Sequence, residues 1–247
     1  MTHADLHPAT IDPASFRDRT ARVFVDGGNV YRQLQTAALT DWQQLQTSGL
    51  ADQLITAKKL IGTQRMTDDA APPLPEAGTT HGSTAVLKHD RIPLITYPWE
   101  WSFQMLKDAG LLQLELMESA LQHGMILKDA TPFNIQFHDC QPVFIDTASF
   151  TAIRPGRPWE GYQQFCRMFL FPLMLQAWHD IDFQSALRGL QGISPTAMSR
   201  SLSWRDLFRP GALTHVFLHA RLSASRGPQR QIPESLQASG FSQELIL

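Results

Sequence analysis

Three oxygen-bearing side chains within one stretch carry the clearest chemical signal in the sequence. In the segment from Gly124 to Phe150 (GMILKDATPFNIQFHDCQPVFIDTASF), Asp129 and Asn134 are separated by a short loop stiffened by Pro132. A hairpin is expected next: NIQF, a turn at His138-Asp139-Cys140-Gln141, then PVFID, which brings Asp146 back toward the first two. Phosphoryl transfer needs such a set. One carboxylate accepts or orients the proton of the attacking hydroxyl, while an amide oxygen and a second carboxylate are hard donors of the kind Mg²⁺ takes.

Several elements must position these groups. Phe103, Leu106, Leu114, Met117 and Leu121 recur at helical spacing, and Gly124 follows, so a helix over 103–121 is expected to run into the loop. Upstream, Arg22 to Leu34 (RVFVDGGNVYRQL) reads as two strands about the Asp26-Gly27-Gly28-Asn29 bend. Residues 41–61 read as helix, capped by Thr40 or Asp41 and broken at Gly49. Residues 67–84, rich in Pro and Gly and poor in large apolar side chains, read as a flexible insertion. A strand is expected at Ile92–Tyr97. From Trp159 the pattern is mainly helical: WEGYQQFCRMFLFPLMLQAW, then QSALRGL, then a segment through His215 to Arg221.

Strands thus come first and helices last, which favours an α+β fold over alternating βαβ units. The expected division is a lead-in over 1–20, a small lobe over 21–97 holding the 67–84 insertion, a helical lobe over 98–222 and a polar tail over 223–247.

Composition narrows the function class. The 247 residues are 43% hydrophobic and 18% charged, which suits a folded core and excludes a highly charged disordered chain. The net charge of −2 lacks the basic excess of a dedicated nucleic-acid binder. Two cysteines, Cys140 and Cys166, make no disulfide framework. The N-terminus has neither a basic start nor an apolar run, and the most apolar stretch, Met168 to Leu175, is interrupted by Pro172 and too short for a membrane span. A cytoplasmic protein without a membrane span is expected.

The Asp129–Asn134–Asp146 segment resembles the catalytic centre of the protein-kinase-like and aminoglycoside-phosphotransferase-like superfamily, with its D-x-x-x-x-N loop and an Asp after the next strand. The resemblance implies a two-lobed kinase-like fold with a reduced N-terminal sheet lobe and a helical C-terminal lobe, binding ATP and Mg²⁺. It implies Asp129 as catalytic base, Asn134 and Asp146 as magnesium ligands, and RIPLITYPWEWS as the hinge. Longer stretches (ITYPWEWSFQMLKDAGL, ALQHGMILKDATPFNIQF, PVFIDTASF and GRPWEGYQQFCRMFLFPL) are similar to the N-terminal region of bacterial proteins labelled SAM-dependent methyltransferases, some called nodulation-related. That similarity spans roughly residues 11–222 and implies a methyltransferase association. No Gly-rich strand-turn-helix for SAM is found.

The chain departs from the kinase pattern in places. Leu127-Lys128 replaces His-Arg before Asp129, and Thr147-Ala148 replaces Phe-Gly after Asp146. These changes disfavour a protein kinase more than they disfavour phosphotransfer. No lysine lies between residues 34 and 58, so Arg32 is the candidate phosphate-contacting cation, with Lys128 a second nucleotide-binding candidate. The expected function is transfer of a phosphoryl group from ATP to a hydroxyl of a small molecule or glycan. The alternative is a non-catalytic nucleotide-binding (pseudokinase) module serving a methyltransferase partner, and a methyltransferase itself ranks last. His215 and His219 have zinc-compatible helical spacing but no third ligand, and read as packing or surface residues.

Overall fold

The computed structural model describes residues 9–12, 20–75, 83–154, 156–209 and 211–218. It is a mixed helix-and-sheet structure. A five-stranded antiparallel sheet, in the order β1-β2-β3-β5-β4, is built from β1 (Thr10–Ile11), β2 (Ala21–Asp26), β3 (Asn29–Gln35), β4 (Thr63–Arg65) and β5 (Ser83–His89). The β2–β3 hairpin turns on Gly27 and Gly28 at φ +53° and +78°. Positive φ at both positions is the type I′ loop, whose twist matches that of the flanking strands, and glycine adopts it without strain.

Strand alternation gives the sheet two different faces. Ala21, Leu34, Ala85 and Leu87 point to one side and join the main core. Phe24, Tyr31 and Val86 point to the other, where Met66, Ala71 and Leu74 cover them. The first part of the expected flexible insertion therefore packs on the sheet, because Phe24 and Tyr31 offer an apolar face that Ala71 and Leu74 can bury. Residues 76–82 of that insertion lie outside the described residues.

Helices α1 (Thr36–Thr47) and α2 (Leu50–Thr56) join β3 to β4 and bury Trp42, Leu45, Leu50 and Leu54. The break falls at Gly49, as expected, in a left-handed conformation (φ +77°). The helix starts at Thr36 rather than near Asp41, since β3 runs straight into it. Asp41 instead accepts a 3.0 Å hydrogen bond from the Thr151 hydroxyl.

The strand expected at Ile92–Tyr97 is not formed. β5 ends at His89, flanked by β3 and β4 on its two edges, and Pro93 lacks the N–H that a new ladder would require. Leu94 and Ile95 are exposed in the irregular connector that follows. That connector is fastened at Thr96. Gln136 accepts from its N–H at 2.9 Å and donates to its carbonyl at 3.0 Å, while the Trp101 indole donates to its hydroxyl at 2.9 Å.

Helix α3 (Phe103–Gln122) is capped by the Ser102 hydroxyl, which accepts from the Met105 N–H. Its buried stripe includes Leu106, Ala109, Leu112, Leu116, Met117 and Ala120. Leu114, expected on that stripe, is exposed; the packed face is rotated toward Leu112 and Leu116. Two small antiparallel ribbons follow: β6 (Met125–Leu127) with β9 (Phe150–Ala152), and β7 (Ile135–His138) with β8 (Gln141–Phe144). The β7–β8 turn is Asp139-Cys140, at φ +50° and +62°.

The helical stretch from Tyr162 is one rod in three pieces: α4 (Tyr162–Phe165), a π turn over Cys166–Leu170, and α5 (Phe171–His179). Pro172 explains the widened turn, since it cannot donate to the preceding turn and its ring would crowd a carbonyl there. QSALRGL forms only a 3₁₀ turn at Ala186–Arg188, and α6 (Pro195–Ser201) is an element the sequence patterning did not reveal. Among the described residues no helix is long and apolar enough to cross a membrane.

Candidate functional site

The segment from Met125 to Phe150 wraps the loop between β6 and β7 and the turn after β8 against each other. Backbone pairing does much of this. The Ile145 N–H donates to the Asn134 carbonyl at 2.9 Å, and the Lys128 N–H to the Ser149 carbonyl at 2.8 Å. Asn134 ends a 3₁₀ turn over Pro132–Asn134, whose entry is set by Thr131.

Asp146 sits immediately after β8 and gathers its partners there. Arg32 Nη1 donates to Asp146 Oδ1 at 2.7 Å, and Asn134 Nδ2 donates to Asp146 Oδ2 at 3.3 Å. Arg32 Nη2 also reaches the Ile145 carbonyl at 3.4 Å. Arg32 lies on β3 beside Leu34, on the face that looks into the molecule, and its side chain is only 9% exposed. A guanidinium there needs a counter-charge, and Asp146 supplies it across 114 positions of sequence. The first sheet and the loop-and-hairpin segment thus meet at one ion pair.

The Arg32 charge acts on a neighbour as well. His89 is on the same sheet face, and its pKa is lowered to about 3, chiefly by burial and then by the Arg32 charge. The Thr63 hydroxyl donates to the Ile61 carbonyl and lies 2.9 Å from His89 Nδ1, a hydrogen bond that orients the ring. His89 Nε2 is a buried atom with no hydrogen-bond partner among the described residues.

Asp129 is held by its backbone, and its side chain is exposed. Its N–H donates to Ser149 Oγ at 3.2 Å, and its carbonyl accepts from Gln113 Nε2 at 3.1 Å. The next N–H, of Ala130, donates to Gln164 Oε1 at 2.8 Å. Three glutamines or hydroxyls from α3, α4 and the turn after Asp146 therefore fix the loop that carries Asp129. None of the three was among the residues expected at the site. Gln113, fully buried within the leucine stripe of α3, was the detectable signal: a polar residue on an apolar face has to bond to something.

Lys128 is not in the Arg32–Asp146–Asn134 cluster. It borders a separate cavity beside β6 and β9, so the two cations expected at a nucleotide occupy different places. His215 pairs with Tyr162, its Nδ1 lying 2.6 Å from the hydroxyl, and burial lowers its pKa. His219 lies outside the described residues. Among the described residues no group of three or more His, Cys, Asp or Glu could hold a metal ion; a site using Asn134 and Asp146 would draw on an amide and one carboxylate. Those two oxygens suit Mg²⁺, a hard ion that commonly takes one or two carboxylates and fills its remaining positions from substrate and water.

The chain is 36% identical over 222 residues to nodulation protein NoeA of Rhizobium meliloti (strain 1021), covering 88% of this chain and 44% of NoeA. It therefore spans less than half the length of that curated relative. No family model matches. Among solved structures it is similar to vaccinia related kinase 3, with a TM-score of 0.40 and 9% identity over 96% of this chain and 90% of that one.

Proposed function

We propose that the chain is a nucleotide-binding module of the kinase-like type, with two lobes meeting at Asp146, and that it uses ATP as a phosphoryl donor. The observation that carries this reading is the Arg32–Asp146–Asn134 cluster, which joins a cation of the first sheet to the two candidate metal ligands. In this reading Asn134 and Asp146 hold Mg²⁺, Arg32 contacts phosphate, and Asp129 orients the acceptor hydroxyl and takes its proton. A bound Mg²⁺ would neutralise phosphate charge. The anchoring of the Asp129 loop by Gln113, Ser149 and Gln164 supports the base role, because a general base must be held in place to act. The acceptor would be a hydroxyl of a small molecule or glycan.

The test is calorimetry of ATP with and without Mg²⁺ on the wild type and Asp146→Ala, followed by ATP turnover with Asp129→Asn. Magnesium-dependent binding lost in Asp146→Ala, with turnover lost in Asp129→Asn, is expected. Equal turnover by wild type and Asp129→Asn would sink the mechanism.

One observation favours a second reading. Both oxygens of Asp146 are already engaged, Oδ1 by Arg32 and Oδ2 by Asn134. A guanidinium that neutralises the carboxylate lets the cluster stand by itself, as a non-catalytic pseudokinase module would require. Such a module would serve a SAM-dependent methyltransferase in trans. It predicts ATP binding that is the same in EDTA, and co-purification with a methyltransferase. A methyltransferase activity of the chain itself ranks last, and absence of SAM binding would remove it.

A further inference from the structure

The cavity that Lys128 borders lies outside the Asp146 cluster, and its lining has an unusual charge. It measures about 110 Å³ and sits between the β6–β9 ribbon on one side and Ile153, Arg154 and the chain from Arg157 to Glu160 on the other. A single water needs only roughly 10–15 Å³ of such space, so the cavity has room for a polyatomic group. Lys128, Arg154 and Arg157 border it, against one carboxylate, Glu160. Among the described residues none of these three cations has a carboxylate within ion-pair distance, although Arg32, Lys59 and Arg209 do. The excess is local, since the chain as a whole carries a net charge of −2.

The walls are built rather than incidental. The Trp159 indole N–H donates to the Leu127 carbonyl at 2.8 Å, tying the far wall to β6. Arg154 and Arg157 are brought together by a turn in which the Arg157 N–H donates to the Arg154 carbonyl at 3.2 Å, with Gly156 at φ +76°. Arg154 and Arg157 are exposed and Lys128 is half-buried, so water and salt screen part of their mutual repulsion, and an anion seated among them offsets what remains. Guanidinium groups also match the planar fork geometry of oxyanions.

We propose that this cavity is a binding site for an oxyanion, the phosphate, sulfate or carboxylate group of a small molecule, held by Lys128, Arg154 and Arg157. The site stands independently of the nucleotide reading. It adjoins Asp129 through Lys128, so a molecule bound there by its anionic group lies beside the anchored loop.

Binding of inorganic phosphate to the full chain, followed by NMR at low ionic strength in EDTA, tests the proposal; EDTA removes any contribution of magnesium phosphate at Asp146. Millimolar binding is expected, weakened about tenfold or more in Arg154→Gln/Arg157→Gln, with shifts centred on residues 126–128 and 151–160. Asp146→Asn should bind phosphate as the wild type does, whatever happens to ATP. Glu160→Gln removes the opposing carboxylate and should tighten binding about twofold to threefold. Sulfate and acetate, compared with phosphate, separate the sources of the anion. No phosphate binding by the wild type, or equal binding by the double variant, overturns the site. Should the double variant unfold, unchanged affinity in both Glu160→Gln and Lys128→Gln overturns it equally.

Discussion

Removing either partner of the Arg32–Asp146 pair should destabilise the fold, and removing both should cost less than the two separate losses added together. The argument is electrostatic. Asp146→Ala leaves the Arg32 guanidinium buried, with one weak 3.4 Å contact to the Ile145 carbonyl and an Nε that has no partner among the described residues. Breaking a fully buried pair costs about 3–5 kcal/mol. The Asp146 side chain is 21% exposed, so water can approach the site and the expected loss falls to about 2–4 kcal/mol. Arg32→Met leaves Asp146 with the Asn134 amide and some water, and about 1–2 kcal/mol is expected. In the double variant no charge is stranded, so a coupling of about 1–3 kcal/mol should appear in the cycle. Urea unfolding of all four proteins measures it, provided the denaturant slope is the same in each. Additivity within about 0.5 kcal/mol would refute the pairing on which the candidate site rests.

The hairpin turn offers a second test: Cys140 holds φ +62° without being glycine, so Cys140→Gly should stabilise the protein by about 0.5–1 kcal/mol in the same urea assay. His89 gives the chain an acid sensitivity. Its folded pKa of about 3 lies below the ordinary 6.5, so above pH 6.5 it contributes no penalty. As pH falls from 6.5 toward 3 the unfolded state alone takes up the proton, and stability is lost at up to about 1.4 kcal/mol per pH unit. Below about 3 both states are protonated and this loss stops growing. Stability measured between pH 7 and 4 should fall less steeply in His89→Gln than in the wild type; parallel curves would rule His89 out as the cause.

Features whose signals lie within a few residues of one another are legible in the chain before it folds. The Gly27-Gly28 hairpin, the break at Gly49, the long helix ending near Gly124 and the β7–β8 hairpin follow from turn chemistry and helical spacing. The order Asp129, Asn134, Asp146 was legible for the same reason, since one loop and one hairpin carry all three. Contacts between distant segments set the rest. β5 formed at Ser83–His89 because β3 and β4 provided edges there, while the more apolar Ile92–Tyr97 run had no edge to join and contained Pro93. Leu114 turned outward because the stripe that packs is set by what faces α3. Arg32 was legible as a cation on a strand, but its partner was fixed only when the inner face of the sheet met the turn after β8. Lys128, adjacent in sequence to Asp129, borders the cavity beside β6 and β9 rather than joining the Arg32–Asp146–Asn134 cluster. Chain neighbours share a backbone, but the direction in which each side chain meets charge and water depends on which faces are brought together.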